Sequence, residues 1–147
     1  MKKNIKVLHV IASLGNGGAE RQLIELLKYN SNHGVLLLNN AEVYKLCLED
    51  LGIKYWEFNV KNKLLVFNKI HKFKSILQEF SPDIVQAWMY NACLFSAVCK
   101  FIKIYDLPLI WSIRCSDMVT KHYSYSFKLI LTFCMLFSKI ADKIIYN

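Results

Sequence analysis

The chain has 147 residues, 54% of them apolar and 20% charged, and carries a formal charge of +8. That size suits one domain able to bury a proper core, and no segment reaches the roughly 20 consecutive apolar residues that span a bilayer. The basic balance favours anionic partners such as phosphates or an acidic membrane surface, while no recognised motif for nucleic acid accompanies it.

Residues 5–12 form an apolar run read as a first buried strand. Met-Lys-Lys ahead of it has the flavour of a signal peptide, but His9 interrupts the run and no small-residue cleavage site follows. A glycine turn at Gly15-Asn16-Gly17-Gly18 opens a helix over 19–29, and a stop around 30–34 leads to a second strand at 35–39. A short helix at 41–51 closes on Gly52, a suitable C-terminal cap, before a third strand at 53–58. Val66, Ile70, Phe73, Leu77 and Phe80 recur at steps of four and three, which places them on one helical face.

Ser81-Pro82-Asp83 stops that helix, and residues 84–88 give a fourth strand. A helix follows over 91–105, striped by Leu94, Val98, Phe101 and Tyr105, until Leu107-Pro108 breaks it. The fifth strand spans 109–113, a polar loop runs over 114–122, and a last helix over 124–142 leads into a sixth strand at 143–146. Strand-length apolar runs alternating with helices specify an α/β, three-layer Rossmann-like domain with a mainly parallel sheet of about six strands. No repeat or linker divides it. A strand is an odd place for a complete protein to end, because no polar tail or capping helix follows it.

The five cysteines are widely spaced, with no C-x-x-C pair and no zinc-type Cys/His spacing, and most sit in apolar patterns. A reducing cytoplasm is the simplest setting, and no metal site is expected.

In an open parallel sheet the ligand site lies beyond the C-terminal ends of the strands, at the switch point. Three loops therefore matter: 13–18, 89–91 and 114–117. Free N–H groups at the helix start after Gly15-Asn16-Gly17-Gly18 suit an anion. The dinucleotide pattern G-x-G-x-x-G fails, because Glu20 stands at the third glycine and the second strand ends in Asn39-Asn40. The absence of Gly-Lys-Ser/Thr excludes a triphosphatase loop. A tight turn needed only for helix packing is the other reading of the glycines.

Ile5-Lys-Val-Leu-His-Val-Ile11 followed by Gly15-Asn-Gly-Gly-Ala-Glu-Arg21-Gln-Leu resembles the start of glycosyltransferase family 4. Pro82-Asp-Ile-Val-Gln-Ala-Trp-Met-Tyr90, Leu107-Pro-Leu-Ile-Trp-Ser-Ile-Arg114 and Ala141-Asp-Lys-Ile-Ile-Tyr146 resemble the later strands of that family. The resemblance covers essentially the whole chain, and its Gly-Gly-Ala-Glu-Arg element is the specific part. It implies a two-lobed, retaining, metal-free enzyme, with an acceptor-side lobe first and a nucleotide-sugar lobe second. This chain would be the first lobe, acting on surface polysaccharide or glycolipid and inactive alone, because the family's paired glutamates lie in the second. No cofactor is implied beyond the nucleotide-sugar donor; the acceptor would be a glycan or lipid-linked.

Under that resemblance Gly15, Asn16, Gly17, Gly18, Glu20 and Arg114 would meet the donor phosphates. Arg114 stands where many family members carry a histidine, and a fixed cation suits anionic oxygens rather than a proton shuttle. Trp88, Met89, Tyr90 and Asn91, with Asp117 and His122, would line the acceptor side. Each has a plainer alternative: dipole stabilisation for Glu20, an ion pair with Asp117 for Arg114, core packing for Trp88 and an N-cap for Asn91. Of the other histidines, His9 reads as a core residue in its strand, His33 as part of a turn and His71 as exposed.

Lys61, Lys63, Lys69, Lys72 and Lys74 concentrate charge around one helix, ordinarily a solvated face. The last helix is apolar nearly all round, apart from a thin stripe that includes Lys128, Thr132 and Lys139. Burial against a second lobe and peripheral contact with an anionic inner membrane face both account for it. Two rival functions stay open: a stand-alone phosphate- or nucleotide-binding module, and a membrane-docking domain without catalysis.

Overall fold

The computed structural model describes residues 5–29, 32–39, 43–58, 66–114 and 124–146. Six strands, β1 (Val7–Ile11), β2 (His33–Leu37), β3 (Lys54–Glu57), β4 (Ile84–Trp88), β5 (Leu109–Ile113) and β6 (Lys143–Tyr146), form a single sheet in the order β3-β2-β1-β4-β5-β6. Every pairing is parallel. The order reverses at β1, where Ile11 pairs with Leu37 on one side and Trp88 on the other. That crevice is where a ligand meets such a sheet.

The central strands β1, β2, β4 and β5 are largely buried on both faces, so each alternates between two cores rather than between core and water, while the edge strands β3 and β6 remain half-buried or exposed. On one side α1 (Gly18–Leu27) and α2 (Lys45–Asp50) cover Ile11, Val35, Leu37 and Trp88 through Leu23, Ile24, Leu27 and Leu48. On the other, α3 (Val66–Phe80), α4 (Met89–Phe101) and α5 (Tyr125–Phe137) cover Leu8, Val10, Leu36, Val85, Ala87 and Trp111. Phe73 of α3 is fully buried and meets Phe95 and Tyr105 at ring separations of 5.3 and 5.7 Å.

Several boundaries differ from the sequence reading. β2 starts at His33, two residues early, so His33 belongs to a strand and not to a turn. Gly34 looks like a breaker but lies inside the ladder, where the Phe80 and Trp56 rings press on its Cα. A methyl there would come within 3.0 Å of Phe80 Cζ and 3.1 Å of Trp56 Cζ3. Gly34→Ala is therefore expected to lower stability by about 1–3 kcal/mol through overpacking, measured by urea unfolding.

α4 begins at Met89 rather than Asn91, because Met89 takes a left-handed backbone (φ +64°) that turns β4 into the helix without a loop. It ends at Phe101, short of the expected Tyr105. Lys103, also left-handed (φ +60°), stops the coil. Tyr105 nevertheless stays buried, its hydroxyl donating to the Ser96 carbonyl at 3.0 Å. α5 is capped by Ser124, which accepts from Phe127 N–H at 3.3 Å, and ends in a 3-10 turn at Ser138–Ile140 instead of reaching Asp142. The Asp142 carboxylate accepts from the Leu109 N–H at 2.7 Å and from Lys100 at 2.6 Å, tying β6 to β5 and α4. Those contacts hold its carboxyl below the usual range. Gly52 caps α2 as expected, in the left-handed region at φ +65°.

Candidate functional site

The turn between β1 and α1 places Gly17 at the N-cap position, extended and without a side-chain cap, and its carbonyl accepts from Arg21 N–H at 3.1 Å. Among the described residues no side chain caps the first-turn amides, which a helix leaves without intrahelical partners. The acceptor nearest to hand is the chain's own. The Glu20 carboxylate curls back over the Gly17 Cα, where even a Cβ would collide with it. Negative charge at a helix start is favourable, so Glu20 stabilises α1 while occupying the place an anionic ligand would take.

Arg114 leaves the end of β5 and reaches across to the same helical turn. Its Nη1 donates to the Gly18 carbonyl at 3.1 Å and to Gln22 Oε1 at 3.0 Å. The loops after β1 and β5 thus converge, bringing Gly17, Gly18, Glu20 and Arg114 into one neighbourhood. Gly15 and Asn16 sit on the approach to that turn, half-buried and exposed respectively. A cavity of about 350 Å³ opens beside this cluster, lined by Gln22, Glu25, Gln86, Trp88, Ser112 and Arg114 among others. None of the four residues 15–18 lines it. On its floor Gln86 Nε2 donates to Ser112 Oγ at 2.8 Å.

The four residues at the end of β4 are not brought together. Trp88 is buried on the α1 side. Tyr90 is buried on the opposite side, edge-on to Phe127 with ring centres 5.6 Å apart. Met89 bridges the two clusters, and Asn91 is exposed beside Ile70 and Leu94 in the groove between α3 and α4. Asn91 is not the N-cap, which is Trp88. Asp117, His122, Lys61, Lys63 and Cys115 lie outside the described residues. Of the α3 lysines, Lys72 donates to the Glu57 carbonyl at 2.7 Å and lies over the Phe58 ring, so its ammonium is partly committed.

A buried relay behind the cavity was not legible in the sequence. Trp88 Nε1–H donates to His9 Nδ1 at 3.1 Å, and His9 Nε2 lies 2.6 Å from His33 Nδ1. An indole N–H can only donate, so His9 must accept at Nδ1 and carry its proton on Nε2, pointing at His33. Both rings are thereby fixed as neutral. Burial first, and the neighbouring His33 second, push His9 down to about 3; burial lowers His33 as well. The relay anchors Trp88 at the wall of the cavity. Its one sequence signal was His9 facing the same core as Ile11. Burial pushes the Cys99 and Cys134 thiols up to about 12 and 11, which suits core packing and not nucleophilic work.

Chemically, the C-terminal end of the sheet presents a fixed guanidinium and the Gln22, Gln86 and Ser112 side chains around one hollow, with the first turn of α1 beside it. That set binds oxygens, both anionic and hydroxylic. No protein-family model matches the chain, and no curated protein matches it significantly. Solved structures do. Anabaena Alr3699/HepE in complex with UDP aligns with 97% of this chain and 44% of its own, at 21% identity and a TM-score of 0.67. The lipopolysaccharide outer core galactosyltransferase WaaB aligns with 95% of this chain and 38% of its own, at 19% identity and a TM-score of 0.65. UDP-GlcNAc 2-epimerase from Methanocaldococcus jannaschii aligns with 96% and 39%, at 12% identity and a TM-score of 0.61. The fold is shared. This chain spans less than half the length of each of these proteins.

Proposed function

We propose that this chain is the acceptor-side lobe of a nucleotide-sugar-dependent, retaining glycosyltransferase of family 4 type, acting in surface polysaccharide or glycolipid synthesis. The reading is carried by Arg114 bridging to the first turn of α1, on a fold shared with a UDP complex. Its guanidinium and the amides at Gly17 and Gly18 are fixed before any ligand arrives, so charge developing on a leaving diphosphate meets oriented donors. Gln86 and Ser112 offer hydroxyl-matching groups for sugar beside them. Acceptor chemistry is a glycan or lipid-linked sugar. Transfer requires a second, donor-binding lobe, and the isolated chain does not turn over.

Titrating UDP-glucose into the isotopically labelled chain tests this reading. Millimolar nucleotide-sugar is expected to shift the amides of residues 15–18 and the Arg114 side chain, with no hydrolysis or transfer. An unmoved Arg114 and glycine turn would remove the site. Turnover by the chain alone would remove the need for a second lobe.

A further inference from the structure

We infer that the buried chain Trp88–His9–His33 makes the cavity proton-sensitive: one proton taken up by the histidine pair releases the Trp88 indole from the cavity wall. His33 is then a positioning residue, acting on the cavity through His9. The effect on a ligand rests on the nucleotide-sugar reading of that cavity, whereas the release of Trp88 does not. On β1, His33 pairs beside Val7 and Trp88 beside Ile11, so the chain links the two ends of the sheet over about 13 Å. Of the three residues, Trp88 is the one that lines the cavity.

Proton counting carries the coupling. The contact of 2.6 Å between His9 Nε2 and His33 Nδ1 holds one proton between the rings. His9 Nδ1 stays bare to accept the Trp88 indole at 3.1 Å, so the other proton of the neutral pair sits on His33 Nε2. An added proton then has one vacancy, His9 Nδ1, whichever ring bears the charge. There it faces an indole N–H that can only donate. The pair cannot gain a proton and keep both hydrogen bonds.

No charged group competes for the pair. Leu23, Ile24 and Leu27 of α1 and Leu48 of α2 cover that face of the sheet, and Val35 and Gln86 flank His9 on β2 and β4. Glu25 pairs with Lys28, and Glu49 accepts from Tyr55. Glu20 and Arg114 lie on the ligand's side of Trp88. Among the described residues, the one ionisable group that shifts His9 is His33, and none shifts His33. Burial holds both rings below the ordinary range, so Trp88 is fixed at neutral pH. His33 is 8% exposed and His9 not at all, so the charge of the protonated pair settles on His33. Without His33 the charge would have to stay in the core. By reciprocity, a ligand that fixes Trp88 disfavours the proton.

Nitrogen NMR of the ligand-free chain between pH 7.5 and 4.5 tests the release, and UDP-glucose titration over the same range tests its effect, with circular dichroism confirming the fold at each pH. UDP-glucose is a diphosphate diester with no group that titrates there. His9 Nδ1 is expected to gain a proton in the same step that moves the Trp88 indole signal. Affinity is expected to fall by roughly 2- to 10-fold, the worth of one ordinary hydrogen bond. His33→Asn offers an acceptor to His9 Nε2–H without a titrating ring. It is expected to bind as wild type at pH 7.5 and to lose less as the pH falls. His33→Leu lacks that acceptor and is expected to bind about 2- to 10-fold more weakly already at pH 7.5. A Trp88 signal that stays still while His33 titrates would overturn the proposal. So would a pair that takes no proton before the chain unfolds, or an acid loss of affinity undiminished in His33→Asn. A chain that binds no UDP-glucose at any pH removes the functional reading instead, and the indole signal still decides the coupling.

Discussion

Lowering the pH from 7.5 to 5 is expected to cost the protein about 2 kcal/mol of stability through His9 alone, or roughly 8 °C in Tm. His9 is buried at the centre of the relay, with its pKa pushed from 6.5 to about 3. A base whose folded pKa is depressed binds its proton better in the unfolded chain. Its stabilising contribution is therefore complete above pH 6.5 and declines as the pH falls, the loss reaching about 4–5 kcal/mol near pH 3. His33 is shifted the same way and adds to the effect. Glu79 and Asp142 are lowered by their partners and also lose stability in acid, but only below their unfolded values of 4.5 and 3.8. The window from 5 to 6.5 thus isolates the histidines. Urea unfolding across it should show a slope near one extra proton in the unfolded state. His9→Gln, which keeps an acceptor for Trp88 without a titrating ring, should flatten that slope. A wild-type curve that is level from pH 7.5 to 5 would show that the pair does not exclude protons.

The same relay shows why the sequence revealed the frame and concealed part of the site. β4, β5 and β6 lie at the expected residues because each is a short, mostly apolar run bounded by Pro82, Pro108 or the end of a helix, signals local enough to read directly. His33 and Gly34 gave the opposite impression. Both look like turn residues, and only the register with Val7 and Leu8, more than twenty residues away, makes them a strand. Trp88 to Asn91 looked like one wall because they are consecutive. A left-handed Met89 instead sends Trp88 and Tyr90 into different cores, and backbone handedness at a non-glycine residue leaves no trace in hydrophobic pattern. Gly17, Gly18 and Arg114 were legible as candidates from loop position alone. Their link through Gln22 was not, since Gln22 carries no distinguishing signal in the chain.

Arg114 and Glu20 face the same helical turn with opposite charge, and their variants are expected to move ligand binding in opposite directions. Arg114→Ala should weaken UDP-glucose binding by about 10- to 100-fold, the worth of a charge-assisted hydrogen bond of roughly 1.5–3 kcal/mol. Its stability cost should stay below about 1 kcal/mol, because the side chain is exposed. Arg114→Lys should not restore binding, since an ammonium cannot hold the Gly18 carbonyl and Gln22 in one plane while presenting donors outward. Glu20→Gln should strengthen binding by removing a carboxylate from the place of the phosphate, at a helix-dipole cost of about 0.3–1 kcal/mol. In the double variant the two effects should not add, because the groups act on one ligand through shared space. Nuclear magnetic resonance titration of the wild type and these four variants reads both the affinity and the amides that move. Equal affinity in wild type and Arg114→Ala would place the ligand elsewhere on the sheet. A gain from Glu20→Gln that survives without Arg114 would mean that the helix amides alone hold the anion.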